Sequence, residues 1–334
     1  MPFFKKDPLQ IIAFQSYGTK THFYLRGRAL EDEDIDLGKE GFLRLLINSW
    51  KRIESDEIKN VVVNVKLPDG IILQATTDNH GYFIAKSSHN DLLALTNEEG
   101  WIQTEVSYND LHNGRKIQLD NRFPAEVLIP STTARFGVAS DIDDTILHTG
   151  VVSKLKWKLI VNTFFKSAQK RKSLDGAAEF YHLLHRGKTG KEANPIFYVS
   201  HSPWNLYRYL EAFLKQNNFP KGPILLRSFE HFVSRRKRKE GPRKKHEISA
   251  LLAAYPDLPF ILIGDGGEYD LDIYLDIAEQ HPGQVRSIYI RSVKHKKKMA
   301  RIKSLVANYT NIPVLIVDNS KQAIDHARGL GFIK

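Results

Sequence analysis

The sequence predicts an α/β protein, a parallel sheet flanked by helices, preceded by a β-sandwich-like amino-terminal domain. Two observations carry this. From Arg135 onward, short continuous apolar runs alternate with helical periodicity, the pattern of strands covered on both faces by crossover helices. Residues 9–130, in contrast, read as short strands separated by turn chemistry. At 334 residues the chain is long enough for two domains. The change of pattern near Pro130-Ser-Thr-Thr133 divides it into 1–132 and 133–334.

In the first part the strand candidates are Ile11–Phe14, His22–Gly27, Val61–Val65, Ile71–Ala75 and Tyr82–Ala85. Pro68-Asp-Gly70 and Asp78-Asn-His-Gly81 supply tight turns of the hairpin kind, because Gly, Asn and Asp tolerate positive φ. The apolar segment Gly41–Trp50 reads as a helical insertion, so an interrupted sandwich is expected rather than a pure one.

In the second part the strands are Phe136–Ser140, Pro195–Ser200, Ile224–Arg227, Phe260–Gly264, Val285–Ile290 and Pro313–Asp318. Helices fill the intervals. The clearest is Leu206–Lys215, where Leu206, Leu210, Phe213 and Leu214 fall on one stripe.

Composition narrows the chemistry. There is no cysteine, so disulfides and thiolate metal sites are excluded and a metal would need carboxylate, carbonyl or histidine ligands. The thirteen histidines include no HExxH motif. A formal charge of +11 points to an anionic partner: nucleic acid, an anionic lipid surface or a phosphorylated substrate. No apolar stretch is long enough to cross a bilayer, and the start, Met1-Pro-Phe-Phe-Lys-Lys-Asp7, lacks the pattern of a signal peptide. A cytoplasmic protein, peripheral on a membrane, is the expectation.

Open α/β sheets bind ligands beyond the carboxyl ends of their strands. Three strand ends here are polar: Asp141-Ile-Asp143-Asp144-Thr145, Ser200-His-Ser-Pro-Trp204 and Gly264-Asp265-Gly-Gly-Glu268-Tyr-Asp270. Clustered carboxylates repel unless a cation or proton relieves them, and magnesium suits a site of a few carboxylates, water and substrate phosphate. Asp141 and Asp265 are its natural first ligands. A strand-to-helix turn can also use Asp143, Asp144 and Thr145 as caps, and Trp204 also fits a packing anchor for its helix.

The ordered set of these motifs, with a lysine-bearing helix between the second and third, resembles the haloacid-dehalogenase-like phosphatases. That resemblance implies a nucleophile at Asp141, which would form an aspartyl-phosphate, and a general acid and base at Asp143, whose carbonyl would also bind the metal. It implies Thr145 and Ser200 on the phosphoryl oxygens, a charge-neutralising lysine, Asp265 on the metal, and Asp270 or Glu268 behind it. Lys244 is favoured over Lys245 because it lies one turn before Ile248.

Within that superfamily, Ser140–Ile146, Tyr198–Tyr207, Leu262–Asp270 and Ile288–Arg291 resemble the catalytic domain of the App1 phosphatidate phosphatases. Tyr17-Gly-Thr19, Arg26-Gly-Arg28 and Thr77–Phe83 resemble the β-rich domain that precedes it in bacterial relatives. Relatives commonly carry Ser where this chain has Gly266, a change expected to leave the metal site intact. The implied reaction converts phosphatidate and water to diacylglycerol and phosphate.

Lys154–Lys172 mixes Trp157, Ile160, Val161, Phe164 and Phe165 with many lysines, which suits either an interfacial helix or one that packs on its own domain. Arg235–Lys239 and Lys294–Lys298 suit anionic headgroups or plain solvation. Few aromatics lie between the basic runs, which argues against nucleic acid as partner. Two alternatives stand: a phosphatase of another soluble or nucleic-acid phosphomonoester, and a non-catalytic lipid-binding module.

Overall fold

The computed structural model describes residues 7–31, 57–109, 115–142, 168–227 and 243–334. The chain divides into two compact units, Met1–Ser131 and Thr132–Lys334. The helical segment expected at Gly41–Trp50 lies outside the described residues, as do Asp143, Asp144, Thr145, residues 154–167 and the basic run Arg235–Lys239.

In the first unit eight strands are described: β1 (Leu9–Phe14), β2 (Ser16–Tyr17), β3 (His22–Glu31), β4 (Val62–Lys66), β5 (Ile72–Thr76), β6 (Tyr82–Ser88), β7 (Trp101–Tyr108) and β8 (Phe123–Leu128). They form a three-stranded sheet, β1-β3-β6, and a five-stranded sheet, β2-β8-β7-β4-β5. Burial alternates along β3, so Phe23, Leu25, Gly27 and Ala29 point inward while Tyr24, Arg26 and Arg28 point away. The inward residues meet Val63, Val65, Ile102, Val106, Ala125 and Val127 of the other sheet in one apolar cluster, so the unit is a sandwich. The Tyr108 hydroxyl of β7 donates to the carbonyl of Gln10 on β1, 2.9 Å away, and links the two sheets.

The two tight turns behave differently. Pro68-Asp-Gly70 closes a true hairpin: β4 and β5 pair antiparallel, and Gly70 takes a φ of 89°. Asp78–Gly81 also turns tightly, with Gly81 at a φ of 74°, but β5 and β6 belong to opposite sheets. This turn passes the chain across the core, because the apolar faces of Leu73 and Ala75 and of Phe83 and Ala85 must meet rather than lie side by side. Strands β7 and β8 are additions to the sequence-based list. Their polar outer positions, such as Gln103, Glu105 and Glu126, dilute the apolar signal of a half-exposed sheet.

The second unit holds strands β9 (Gly137–Asp141), β10 (Ile196–Pro203), β11 (Ile224–Arg227), β12 (Phe260–Asp265), β13 (Val285–Arg291) and β14 (Val314–Val317). Between and after them run helices α1 (Ala168–Arg186), α2 (Tyr207–Gln216), α3 (Arg243–Ala254), α4 (Asp270–Gln280), α5 (Lys296–Ala307) and α6 (Ser320–Gly329). Every strand pair is parallel, in the order β11-β10-β9-β12-β13-β14. The first strand is therefore central, and the winding reverses between β9 and β12, the switch point at which such sheets bind ligands.

The core is built from both faces. All five residues of β9 and all six of β12 are buried, which explains their unbroken apolar runs. Leu206, Leu210, Phe213 and Leu214 are buried as one stripe at and within α2. Phe197, Tyr255 and Phe260 stack together beneath the sheet, with ring centroids 5.9 to 6.4 Å apart.

Candidate active site

The sheet register sets the site. Val199 of β10 and, by continuation from the Ile263–Ser140 pair, Gly264 of β12 lie level with Asp141, the last residue of β9. Ser200 and Asp265 thus stand one residue farther out, on the two strands that flank Asp141. All three are buried, Asp141 and Asp265 as the last residues of their strands and Ser200 three residues before the end of β10. The Ser200 hydroxyl oxygen accepts the Ser202 N–H at 2.9 Å, inside a register shift that bends the end of β10.

Lys244, in the first turn of α3, reaches into this rim. Its side chain is 1 % exposed, and its ammonium lies 3.1 Å from Asp141 Oδ1, 3.0 Å from Glu268 Oε2, and in closer contact with Asp270 Oδ1. Lys245, the neighbouring candidate, points elsewhere and pairs with Asp276 at 2.5 Å. The difference follows from helical geometry: Lys244 and Ile248 share the face turned to the sheet, and both are buried.

Burial by itself would push Lys244 toward the neutral amine. The charges of Asp141 and Asp270, with Tyr274 and Glu268 adding, more than reverse this and hold the ammonium well above its ordinary range. Asp270 moves the other way from a normal carboxylate: burial first, and then the charge of Asp141, push it up to about 8 against the pull of Lys244. One ammonium does not neutralise three carboxylates.

The carboxylate oxygens of Asp141, Glu268 and Asp270 lie within 4.8 Å of one another and can hold a metal ion. Three carboxylates face a single ammonium here, and a divalent ion would relieve the crowding that pushes Asp270 up. The donors are all hard oxygens, as magnesium and calcium require. Asp265 is not in this group. Its Oδ1 accepts the Gly267 N–H at 2.5 Å, and its own N–H donates to Asp270 Oδ2 at 3.0 Å, so it fixes the loop that carries Glu268 and Asp270.

Two features of the site escaped the sequence reading. Gly264 leaves room for Asp270: a Cβ there would lie 2.5 Å from Asp270 Oδ2 and 2.8 Å from the Tyr274 ring. A glycine before a strand-end aspartate was the available signal. Ser140 also donates its hydroxyl proton to the Asp141 carbonyl at 3.0 Å, so the Tyr181 hydroxyl, 2.5 Å away, must donate to Ser140. That pair braces the backbone of Asp141 from α1, 41 residues distant, and no local pattern announces it. Gly266 is a fitted residue as well, since a Cβ would meet the Arg291 carbonyl at 2.9 Å and Ile302 at 3.2 Å. Trp204 stacks on Tyr207 at 6.3 Å, at the start of α2.

The profile of the phosphatidate phosphatase APP1 catalytic domain matches residues 136–292, the stretch that contains β9 to β13 and every site residue described above. This part of the chain is similar to an App1-type catalytic domain. The phosphatidate phosphatase APP1 of Saccharomyces cerevisiae is 33 % identical over 217 residues, which cover 65 % of this chain and 34 % of the yeast protein. An uncharacterised protein of Schizosaccharomyces pombe is 29 % identical over 157 residues, 47 % of this chain and 25 % of that protein. The chain thus spans about a third or less of the curated relatives it matches. Beyond the App1-type segment, β14, α5 and α6 complete the second unit.

Proposed function

We propose that this chain is a magnesium-dependent phosphatase that hydrolyses phosphatidate to diacylglycerol and phosphate through an aspartyl-phosphate on Asp141. The observation that carries the reading is the burial of Lys244 against Asp141 at the switch point of the parallel sheet, inside the App1-type segment. The central first strand, which ends in the would-be nucleophile, supports a haloacid-dehalogenase-like architecture. The yeast relative's name supplies the substrate.

In this reading a carboxylate oxygen of Asp141 attacks phosphorus while the leaving alkoxide takes a proton from Asp143. Asp143, now a base, removes a proton from the water that hydrolyses the acyl-phosphate. Thr145 and Ser200 hold the phosphoryl oxygens, and Lys244 balances the charge that builds on them. Asp141 and Asp143 would hold magnesium, with Glu268 and Asp270, whose oxygens gather beside Asp141, and Asp265 would brace the loop that carries them. When bound the ion supplies charge neutralisation between the carboxylate nucleophile and the anionic phosphate. The ion pair with Lys244 restrains the Asp141 carboxylate in one orientation. A cytoplasmic enzyme that works peripherally at a membrane fits these assignments.

Phosphate release from phosphatidate vesicles, p-nitrophenyl phosphate and a 5′-phosphorylated oligonucleotide, each with and without magnesium, tests the proposal. Magnesium-dependent turnover of phosphatidate is expected. Turnover of soluble esters alone would refute the lipid substrate, and inactivity on all three would refute the enzyme reading.

A further inference from the structure

The loop between β12 and α4 and the start of α5 form one surface on the rim of the second unit. Gly266 N–H donates to the Arg291 carbonyl at 2.9 Å, and the Lys298 ammonium donates to the Gly267 carbonyl, so the two segments are stitched together. Tyr269 lies in this loop between Glu268 and Asp270, yet it is 73 % exposed while Asp270 is fully buried. Asp270 points in to Lys244 and the neighbouring ring points out. Arg301 of α5 pairs with Asp272, three residues after Tyr269, so the start of α4 is tied to α5 as well.

Next to this exposed ring, Lys294, His295, Lys296, Lys297 and Lys298 are all exposed. Among the described residues Lys294, Lys296 and Lys297 form no ion pair. The nearby Asp272 is already held by Arg301, and Glu268 by Lys244. Folding gives these lysines little reason to be there, because cations in the first turn of a helix oppose its dipole. A solvated tyrosine beside unpaired lysines combines the two side-chain types that hold proteins at an anionic membrane surface. The ring suits the headgroup layer, and each lysine adds attraction to acidic lipids.

We propose that Tyr269, Lys294, Lys296 and Lys297 form a membrane seat that docks the loop between β12 and α4 on an anionic bilayer. This rests on the reading of the site as one that acts on a membrane lipid. Charge complementarity selects the occupant, and the position supplies the purpose. Tyr269 immediately precedes Asp270 and follows Glu268, so a bilayer that meets the ring also meets the loop that carries two of the clustered carboxylates. A nucleic-acid partner would call for several exposed rings along the basic track, whereas this surface offers one.

The test is co-sedimentation of the full chain with vesicles of phosphatidylcholine alone and of equal parts phosphatidylcholine and phosphatidylglycerol, neither of which is a phosphomonoester. Binding to the anionic vesicles only, weakened by salt, is expected. Combined Lys294→Ala, Lys296→Ala and Lys297→Ala substitution should weaken it by roughly fivefold per lysine, on the order of a hundredfold in all. The corresponding triple change to arginine should retain it, and Tyr269→Ala alone should also weaken it. Equal binding of the alanine triple variant and the native chain, or no preference for anionic vesicles, would overturn the seat. Tighter binding of a single-stranded oligonucleotide, lost in the same triple variant, would reassign the patch to nucleic acid and overturn it too. Vesicle binding does not depend on turnover: a chain that binds as expected but cleaves no phosphate ester sinks the phosphatase reading and leaves the seat standing.

Discussion

The Lys244 ammonium lies 3.1 Å from Asp141 Oδ1, and neither side chain is more than 1 % exposed. A buried ion pair of this kind adds little stability compared with an apolar pair, but the removal of one partner strands the other's charge. Lys244→Met should therefore destabilise the catalytic unit by about 3–5 kcal/mol. Denaturant unfolding measures this, and added magnesium should restore part of the loss by supplying the missing positive charge.

Asp141→Asn keeps the shape of the side chain and removes its nucleophilic charge. Turnover should fall by roughly a factor of 10⁴ or more, with the far-UV spectrum unchanged. Because the mutation also relieves repulsion of Asp270, the melting temperature of the metal-free protein should hold or rise. Residual activity near the native level would refute the nucleophile assignment.

Asp270 gives the metal-free protein a distinctive pH dependence. Its carboxyl titrates near 3.8 when unfolded and is pushed up to about 8 in the fold, so the native state binds the extra proton between these values. The stability linked to that proton is complete below about pH 4 and is lost as pH rises through about 8. With a chelator present, the melting temperature should drop between about pH 4 and pH 8 and level off above, and Asp270→Asn should remove that part of the slope. Magnesium should stabilise more strongly at the higher pH, where it no longer competes with the proton.

Gly264→Ala tests the floor of the site. The added methyl would lie 2.5 Å from Asp270 Oδ2 and 2.8 Å from Tyr274, so the carboxylate must move. A cost of about 1–3 kcal/mol is expected from overpacking, with a marked loss of magnesium affinity measured by calorimetry.

In the amino-terminal sandwich, Tyr108→Phe removes the hydroxyl that reaches Gln10 across the two sheets. The Gln10 carbonyl is then left buried without that donor, and about 1 kcal/mol should be lost in chemical denaturation.

The strands of the second unit were legible because each is buried on both faces, which forces a continuous apolar run that stops where the chain leaves the sheet. The same rule exposed Asp141, Ser200 and Asp265 as polar endings. Helical period alone separated Lys244 from Lys245, since only one of two adjacent residues can face the sheet. In the sandwich, Phe123–Leu128 and Trp101–Tyr108 were missed because polar residues such as Gln103, Glu105 and Glu126 on the outer face interrupt their apolar runs.

Sequence by itself thus determined the parallel sheet, the polar strand ends and the lysine that joins them, because burial and helical period act locally along the chain. Only the tertiary structure decided which carboxylates share Lys244. Glu268 and Asp270 stand beside Asp141 because the loop after β12 folds back over Gly264, while Asp265 is turned into a brace for that loop. It also decided that Asp78–Gly81 crosses between sheets instead of closing a hairpin. Such choices depend on which distant surfaces can be buried against each other, and a linear pattern does not record those distances.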